Sequence, residues 1–264
     1  MSGGNPARAS FREAGSGPAV VCLHCSASNS GQWRPLMEQL ADRYRVIAPD
    51  LYGCGRSPAW PAERPMSIDD QVALLAPAFE RAGERFHLIG HSYGGAIALK
   101  AALRFTKKLE SLVLYEPVLF SVLLDADPHG PAAREIMKVR DDVLAGEPAV
   151  AAERFIDYWM GKGAWAATPD SRRGALVDAV QAQKPEWHSA CNEPTPLEAF
   201  ATLDMPALLM TGSASTAAAR AVARLVGGVL PRVRVEEIEG LGHMAPVTHP
   251  LEVNAHIERF LADI

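Results

Sequence analysis

The chain has 264 residues, 48% of them hydrophobic, which is enough to bury a sizeable core in one α/β domain or in a domain with a large insertion. Its net charge of −5 comes with no basic cluster, which argues against nucleic acid or an anionic membrane as partner, and no apolar run approaches the roughly 18 residues of a membrane-crossing helix. Met1 to Pro18 is rich in glycine, serine and alanine without an apolar segment, so no signal peptide is expected, and four cysteines without paired C-x-x-C motifs suit a reducing, cytoplasmic compartment.

In chain order, Ala9 to Ala14 has room for a single strand. Ala19 to Leu23 is a continuous apolar run after a glycine-rich turn and predicts a buried parallel strand. Trp33 to Arg43 places Trp33, Leu36, Met37 and Leu40 at helical spacing, and Tyr44 to Asp50 predicts the next strand, ended by the loop Gly53-Cys54-Gly55. A helix from Ile68 to Ala82 follows Ser67 as its N-cap. Phe86 to Ile89 and Ser111 to Pro117 are further strands, with a helix from Ala96 to Leu103 between them. From Val118 to Ala201 the rhythm changes to helices alone: Ala132 to Leu144, Ala149 to Trp159, and Arg172 to Gln183. Pro206 to Gly212 resumes the sheet, followed by a helix over Ala217 to Val226, a strand over Val233 to Ile238 and a closing helix over Leu251 to Leu261. This pattern predicts a mostly parallel α/β sheet covered by helices on both faces, with residues 1–117 and 202–264 forming the core and 118–201 a helical cap.

The most informative stretch is Gly90-His91-Ser92-Tyr93-Gly94. It sets a serine in G-x-S-x-G spacing where a strand must turn sharply into a helix, so that the hydroxyl projects at the tip of the turn. A hydroxyl is a poor nucleophile at neutral pH and needs a base. His243, in Gly240-Leu241-Gly242-His243 just after the last strand, is the candidate. His24 and His91 flank the turn and read as structural neighbours. Cys22 and Cys25 read as buried or lining the site rather than as a disulfide or metal pair, and no metal or cofactor is expected.

These residues together resemble the α/β-hydrolase fold over nearly the whole chain. The likeness rests on Leu23-His24-Cys25-Ser26, on Pro49-Asp50-Leu51-Tyr52-Gly53-Cys54-Gly55-Arg56-Ser57, on the serine turn, and on Gly242-His243-Met244. It implies that the backbone N–H groups of Tyr93 and Ser26 form an oxyanion hole. Two departures stand out. Cys25 occupies a position where the family usually has glycine. The family's acid, an aspartate three residues beyond the glycine that ends the next-to-last strand, is replaced by Ser215, and Gly212 to Ala217 contains no carboxylate. Glu116 is the expected substitute: it ends the strand after the nucleophile helix, at the carboxyl edge of the sheet, where one branch of the haloalkane dehalogenases carries a glutamate. Asp204 precedes its strand and belongs to the opposite edge.

The resulting expectation is a serine esterase acting on a small hydrophobic ester, with Ser92, His243 and Glu116 as catalytic residues and Cys25, Tyr158 and Trp159 as pocket candidates. The oligomeric state stays open. A C–C bond hydrolase or a thioesterase would use the same residues, as would a cofactor-free oxygenase or perhydrolase. A non-catalytic ligand-binding protein that kept the fold after losing its acid is the reading from another class. Arg134, Lys138, Arg140, Arg172 and Arg173 become relevant to an acidic substrate group only if one faces inward.

Overall fold

The computed structural model describes residues 7–264. The sequence reading of Met1 to Pro18 as lacking a leader falls partly outside that range. Seven strands, β1 (Phe11–Ala14), β2 (Ala19–Leu23), β3 (Arg45–Pro49), β4 (Phe86–His91), β5 (Leu109–Tyr115), β6 (Ala207–Gly212) and β7 (Val233–Ile238), form one sheet in the order β1-β3-β2-β4-β5-β6-β7. Only β1 runs antiparallel, on β3 at the sheet edge, while the other pairs are parallel. The central strands are buried at nearly every position and mostly apolar because both sheet faces are covered. Val21, Leu23, Leu88, Leu112 and Leu209 point into one core, and Val20, Cys22, Ile89, Val113 and Met210 into the other.

Helix boundaries follow local chemistry. Ser67 caps the helix Ile68–Leu74 through a reciprocal pair of bonds, Asp70 N–H to Ser67 Oγ and Ser67 N–H to Asp70 Oδ2. The single helix expected over Ile68 to Ala82 is instead two, Ile68–Leu74 and Ala76–Ala82. Pro77 is the cause: its ring has no N–H to donate and crowds the carbonyl of Ala73. Trp33 belongs to a short 3-10 turn, Ser30–Trp33, ahead of the helix Arg34–Leu40. Between β5 and β6 the described chain is helical throughout, over Phe120–Ala126, Pro131–Ala145, Pro148–Met160, Ala164–Ala167, Asp170–Ala182, Lys184–Cys191 and the 3-10 turn Leu197–Thr202. No helix among the described residues is long and apolar enough to cross a membrane.

The parallel register brings the ends of β2, β4, β5 and β6 to one edge, with Leu23 beside Gly90 and His91 beside Tyr115. Gly94, in the helix Tyr93–Arg104, makes one of the close backbone approaches there. A Cβ at that position would stand 2.4 Å from the carbonyl oxygens of both Leu23 and His24. Gly174, inside Asp170–Ala182, has nothing within 4 Å of a built Cβ. Gly94→Ala is therefore expected to destabilise the fold by about 3 kcal/mol or more, whereas Gly174→Ala stabilises it by about 0.5–1 kcal/mol through the unfolded chain. Urea midpoints of the two variants read the difference in sign.

Candidate active site

Ser92 sits between β4 and the helix Tyr93–Arg104 with φ 57° and ψ −121°, a conformation that L side chains rarely adopt. The turn is held from both sides. Ser92 N–H donates to Tyr115 O at 3.0 Å, and its carbonyl accepts from Gly95 N–H at 2.9 Å and Val118 N–H at 3.1 Å. The Ser92 side chain is thereby fixed at the helix N-terminus, next to the unsatisfied first-turn N–H groups.

Glu116, one residue beyond β5, is also left-handed (φ 43°) and is fully buried. Oε1 accepts from Thr211 Oγ1 at 2.9 Å and from Gly212 N–H at 2.8 Å. Oε2 accepts from Ser215 Oγ at 2.6 Å and faces His243 Nδ1 at 2.7 Å. Burial alone would raise this carboxyl; the imidazole, the Ser215 hydroxyl and the Gly212 N–H outweigh it and hold it below the usual value. With Nδ1–H donating to Glu116, His243 turns Nε2 toward Ser92 Oγ, 2.9 Å away. The three side chains expected from the sequence thus form one hydrogen-bonded line. Ser215, at the position where an aspartate was expected, bonds to the glutamate that stands there instead.

Neither the Tyr93 nor the Ser26 backbone N–H has a hydrogen-bond partner among the described residues. The loop carrying Ser26 is tied to the histidine loop by side chains the sequence did not single out as a pair. Cys25 N–H donates to Gln32 Oε1 at 3.1 Å, Gln32 Nε2 donates to His91 Nδ1 at 3.0 Å, and His91 Nε2–H donates to the His243 carbonyl at 2.9 Å. This chain requires a neutral His91, and burial holds its pKa well below the usual histidine value. His24 is neutral for the same reason, with burial lowering it to about 4, and it donates from Nδ1 to Cys25 O while accepting from Leu51 N–H. Both histidines therefore support the backbone around the site.

A cavity of about 760 Å³ opens onto Ser92 and His243, with mostly apolar walls from Phe120, Phe155, Ile156, Trp159 and Trp187. Two of the three pocket candidates lie on it. Cys25 is in the wall with its thiol pushed up to about 12 by burial, and the Trp159 ring lies 4.2 Å from the His243 ring. Tyr158 does not line the cavity. One residue along a helix is a rotation of about 100°, so when Phe155 and Trp159 face inward Tyr158 faces aside, and its hydroxyl donates to Glu135 at 2.8 Å. Of Arg134, Lys138, Arg140, Arg172 and Arg173, Arg172 alone lines the cavity, and it is exposed at the mouth. The sequence reading missed Glu186, which lines the cavity from Lys184–Cys191 with a carboxyl raised to about 8 by burial. The available signal was Pro185, which favours a helix start and places Glu186 in the first turn. Among the described residues no three His, Cys, Asp or Glu side chains gather as metal ligands would.

The Ser215 contact has a measurable consequence. Ser215→Ala is expected to destabilise the protein by about 1–2 kcal/mol near neutral pH, because a bond to a buried carboxylate is lost. Glu116 is depressed in the folded state, so its contribution is present above the ordinary value of 4.5 and is lost as pH falls through the folded value. Urea unfolding of wild type and variant should therefore differ most near pH 7 and converge in acid.

The alpha/beta hydrolase family model matches residues 20–256. An uncharacterized protein of Mycobacterium tuberculosis is 38% identical over 112 residues, 40% of this chain and 31% of that one, so the match spans about a third of that relative's length. A pimeloyl-(acyl-carrier protein) methyl ester esterase of Aeromonas hydrophila is 28% identical over 255 residues, covering 94% of this chain and 96% of that one. Among solved structures, an alpha/beta hydrolase from Sphaerobacter thermophilus superposes with a TM-score of 0.68 at 26% identity, covering 93% of this chain and 95% of that one. With its sheet order, its serine turn and a family match over most of its length, the chain belongs to the alpha/beta hydrolase family.

Proposed function

We propose that this chain is a carboxylic ester hydrolase that works through an acyl-enzyme on Ser92, with His243 as base and Glu116 as acid. One observation carries the reading: the unbroken line from Ser92 Oγ to His243 Nε2 at 2.9 Å and from His243 Nδ1 to Glu116 Oε2 at 2.7 Å. His243 Nε2 takes the Ser92 proton as Oγ attacks the ester carbonyl. The Tyr93 and Ser26 N–H groups receive the developing oxyanion. The imidazolium, stabilised by Glu116, returns its proton to the leaving alcohol. Water then attacks the acyl-enzyme, giving its proton to His243, and the acid departs as Ser92 is reprotonated. The helices of residues 118–201 act as a cap, and their apolar side chains suit a hydrophobic acyl or alkyl group. A methyl ester esterase aligned over almost the full length supports the choice of esters. The buried, four-partnered Glu116 weighs against a protein that kept the fold after losing its acid.

Ser92→Ala should lower hydrolysis of a short p-nitrophenyl ester by about 10³-fold or more and abolish labelling by a fluorophosphonate. Glu116→Gln should lower kcat by about 10³–10⁴-fold, because an amide NH₂ facing Nδ1 selects the wrong imidazole tautomer. Ser215→Ala should cost about tenfold or less. A glutamine variant with near-wild-type turnover would remove Glu116 from the mechanism.

A further inference from the structure

Glu186 is a carboxyl that the proposed mechanism does not use. It is 4% exposed and shares the cavity wall with Ser26, Ser92 and Gln183. Its Oε2 is hydrogen-bonded to Ser26 Oγ, which joins the helix Lys184–Cys191 to the loop after β2. With its nitrogen turned toward the carboxyl, the Gln183 amide donates to Oε1, and the other end of the amide meets Cys54 Sγ at 3.1 Å. No cation pairs with Glu186 among the described residues. Its titratable neighbours are the Cys25 and Cys54 thiols and the Tyr93 phenol. From Pro131–Ala145, Arg140 pairs with Asp141 and reaches Cys191, one helical turn further on. From Tyr93–Arg104, Lys100 pairs with Glu193 and Asp69. Phe120–Ala126 presents Phe120, stacked on Trp187, and Asp170–Ala182 ends in the buried Val180.

A buried carboxylate without a counter-charge is costly, and Glu186 has two hydrogen-bonding neighbours but no paired cation, Arg172 lying exposed at the mouth of the same cavity. We propose that Glu186 is a positioning residue held as a neutral acid, which sets the Ser26 hydroxyl as a side-chain donor to the carbonyl oxygen of the bound ester. The inference rests on the ester-hydrolase reading. A neutral Glu186 donates its O–H to Ser26 Oγ, leaving the Ser26 O–H free to point into the cavity beside the Ser26 and Tyr93 N–H groups. Once Glu186 has lost its proton to solvent, the carboxylate accepts the Ser26 O–H, and that donor is withdrawn.

Burial raises Glu186 to about 8, against the Ser26 hydrogen bond, which lowers it. The same burial pushes Cys25 up to about 12 and Cys54 and Tyr93 well above their usual values, so Glu186 is the member of this cluster that changes charge just above neutrality. In wild type kcat/KM should fall about tenfold from pH 7 to pH 9. In Glu186→Gln, whose amide donates to Ser26 Oγ at every pH, the same ratio should stay within about twofold. Ser26→Ala should show a larger deficit against wild type at pH 7 than at pH 9. The protonation state is read separately, as an infrared band of a carboxylic acid C=O present in wild type at pH 7, lost at high pH and missing in Glu186→Gln.

Absence of that band overturns the inference. So does a glutamine variant that loses activity at pH 9 as wild type does while Ser92 still reacts with a fluorophosphonate. Should the glutamine variant fail to fold, a Ser26→Ala deficit that is equal at both pH values overturns it. Failure of wild-type Ser92 to react with the probe overturns the ester reading itself, and the inference with it.

Discussion

Everything at the site depends on two consecutive strand ends held in left-handed backbone. Because His91 pairs with Tyr115 in register, the next residues of β4 and β5, Ser92 and Glu116, emerge side by side at the same sheet edge. Both have positive φ, 57° and 43°, and neither is glycine. Each such residue costs on the order of 1–3 kcal/mol and persists only where its surroundings leave no alternative. Here the surroundings are backbone bonds: Ser92 N–H to Tyr115 O at 3.0 Å and Glu116 N–H to Met210 O at 3.1 Å continue the ladders of the sheet past its edge. The strain is what turns both side chains off the pleat and toward one histidine.

The second constraint is electrostatic. A fully buried carboxylate is tolerable only when its lone pairs are used, and Glu116 uses them on Thr211, Gly212, Ser215 and His243. Three of those partners come from β6 and the turn after it. That turn carries serine where its relatives in fold were expected to carry the acid, and its polar groups still converge on the same point. In this chain the carboxylate beside Nδ1 comes from the end of β5, and the turn after β6 supplies a hydroxyl to it. The geometry asks for a carboxylate oxygen at that point and is indifferent to which strand end supplies it.

Much of this was legible in the sequence because it rests on local signals. The serine turn is written in Gly90 and Gly94, where an added Cβ would stand 2.5 Å and 2.4 Å from backbone oxygens. Glu116 was legible because a strand end fixes which sheet edge a residue occupies, and His243 because the loop after β7 returns to the same edge. Pro77 was visible as well, and its break in the helix is a rule of backbone chemistry rather than of packing. What could not be read depends on distant contacts. Glu186 meets Ser26 across 160 positions and Gln32 meets His91 across 59, and neither partner carries a spacing that announces the other. Tyr158 shows the complementary failure: aromatic bulk near a site says nothing of helix rotation, and one residue decides whether a ring faces the cavity.

Core and insertion contribute different things to the site. Ser92, Glu116 and His243 all come from the sheet and its loops, so the proton line is complete without the helices between β5 and β6. Among the described residues the insertion reaches that line through Trp159, by contact of its ring with His243. Side-chain polar contacts tie it instead to the helix Tyr93–Arg104 and to the loop carrying Ser26. Ser189 bonds Tyr93 Oη at 2.6 Å, Glu186 holds Ser26 Oγ, and Glu193 pairs with Lys100 two turns further along the same helix as Tyr93 at 2.7 Å. The insertion therefore makes side-chain hydrogen bonds to the two residues with free N–H groups, and meets the Ser92–His243–Glu116 line through an aromatic ring. A displacement of these helices would change the surroundings of the Tyr93 and Ser26 N–H groups while leaving the distances from Ser92 to His243 and Glu116 as the sheet sets them.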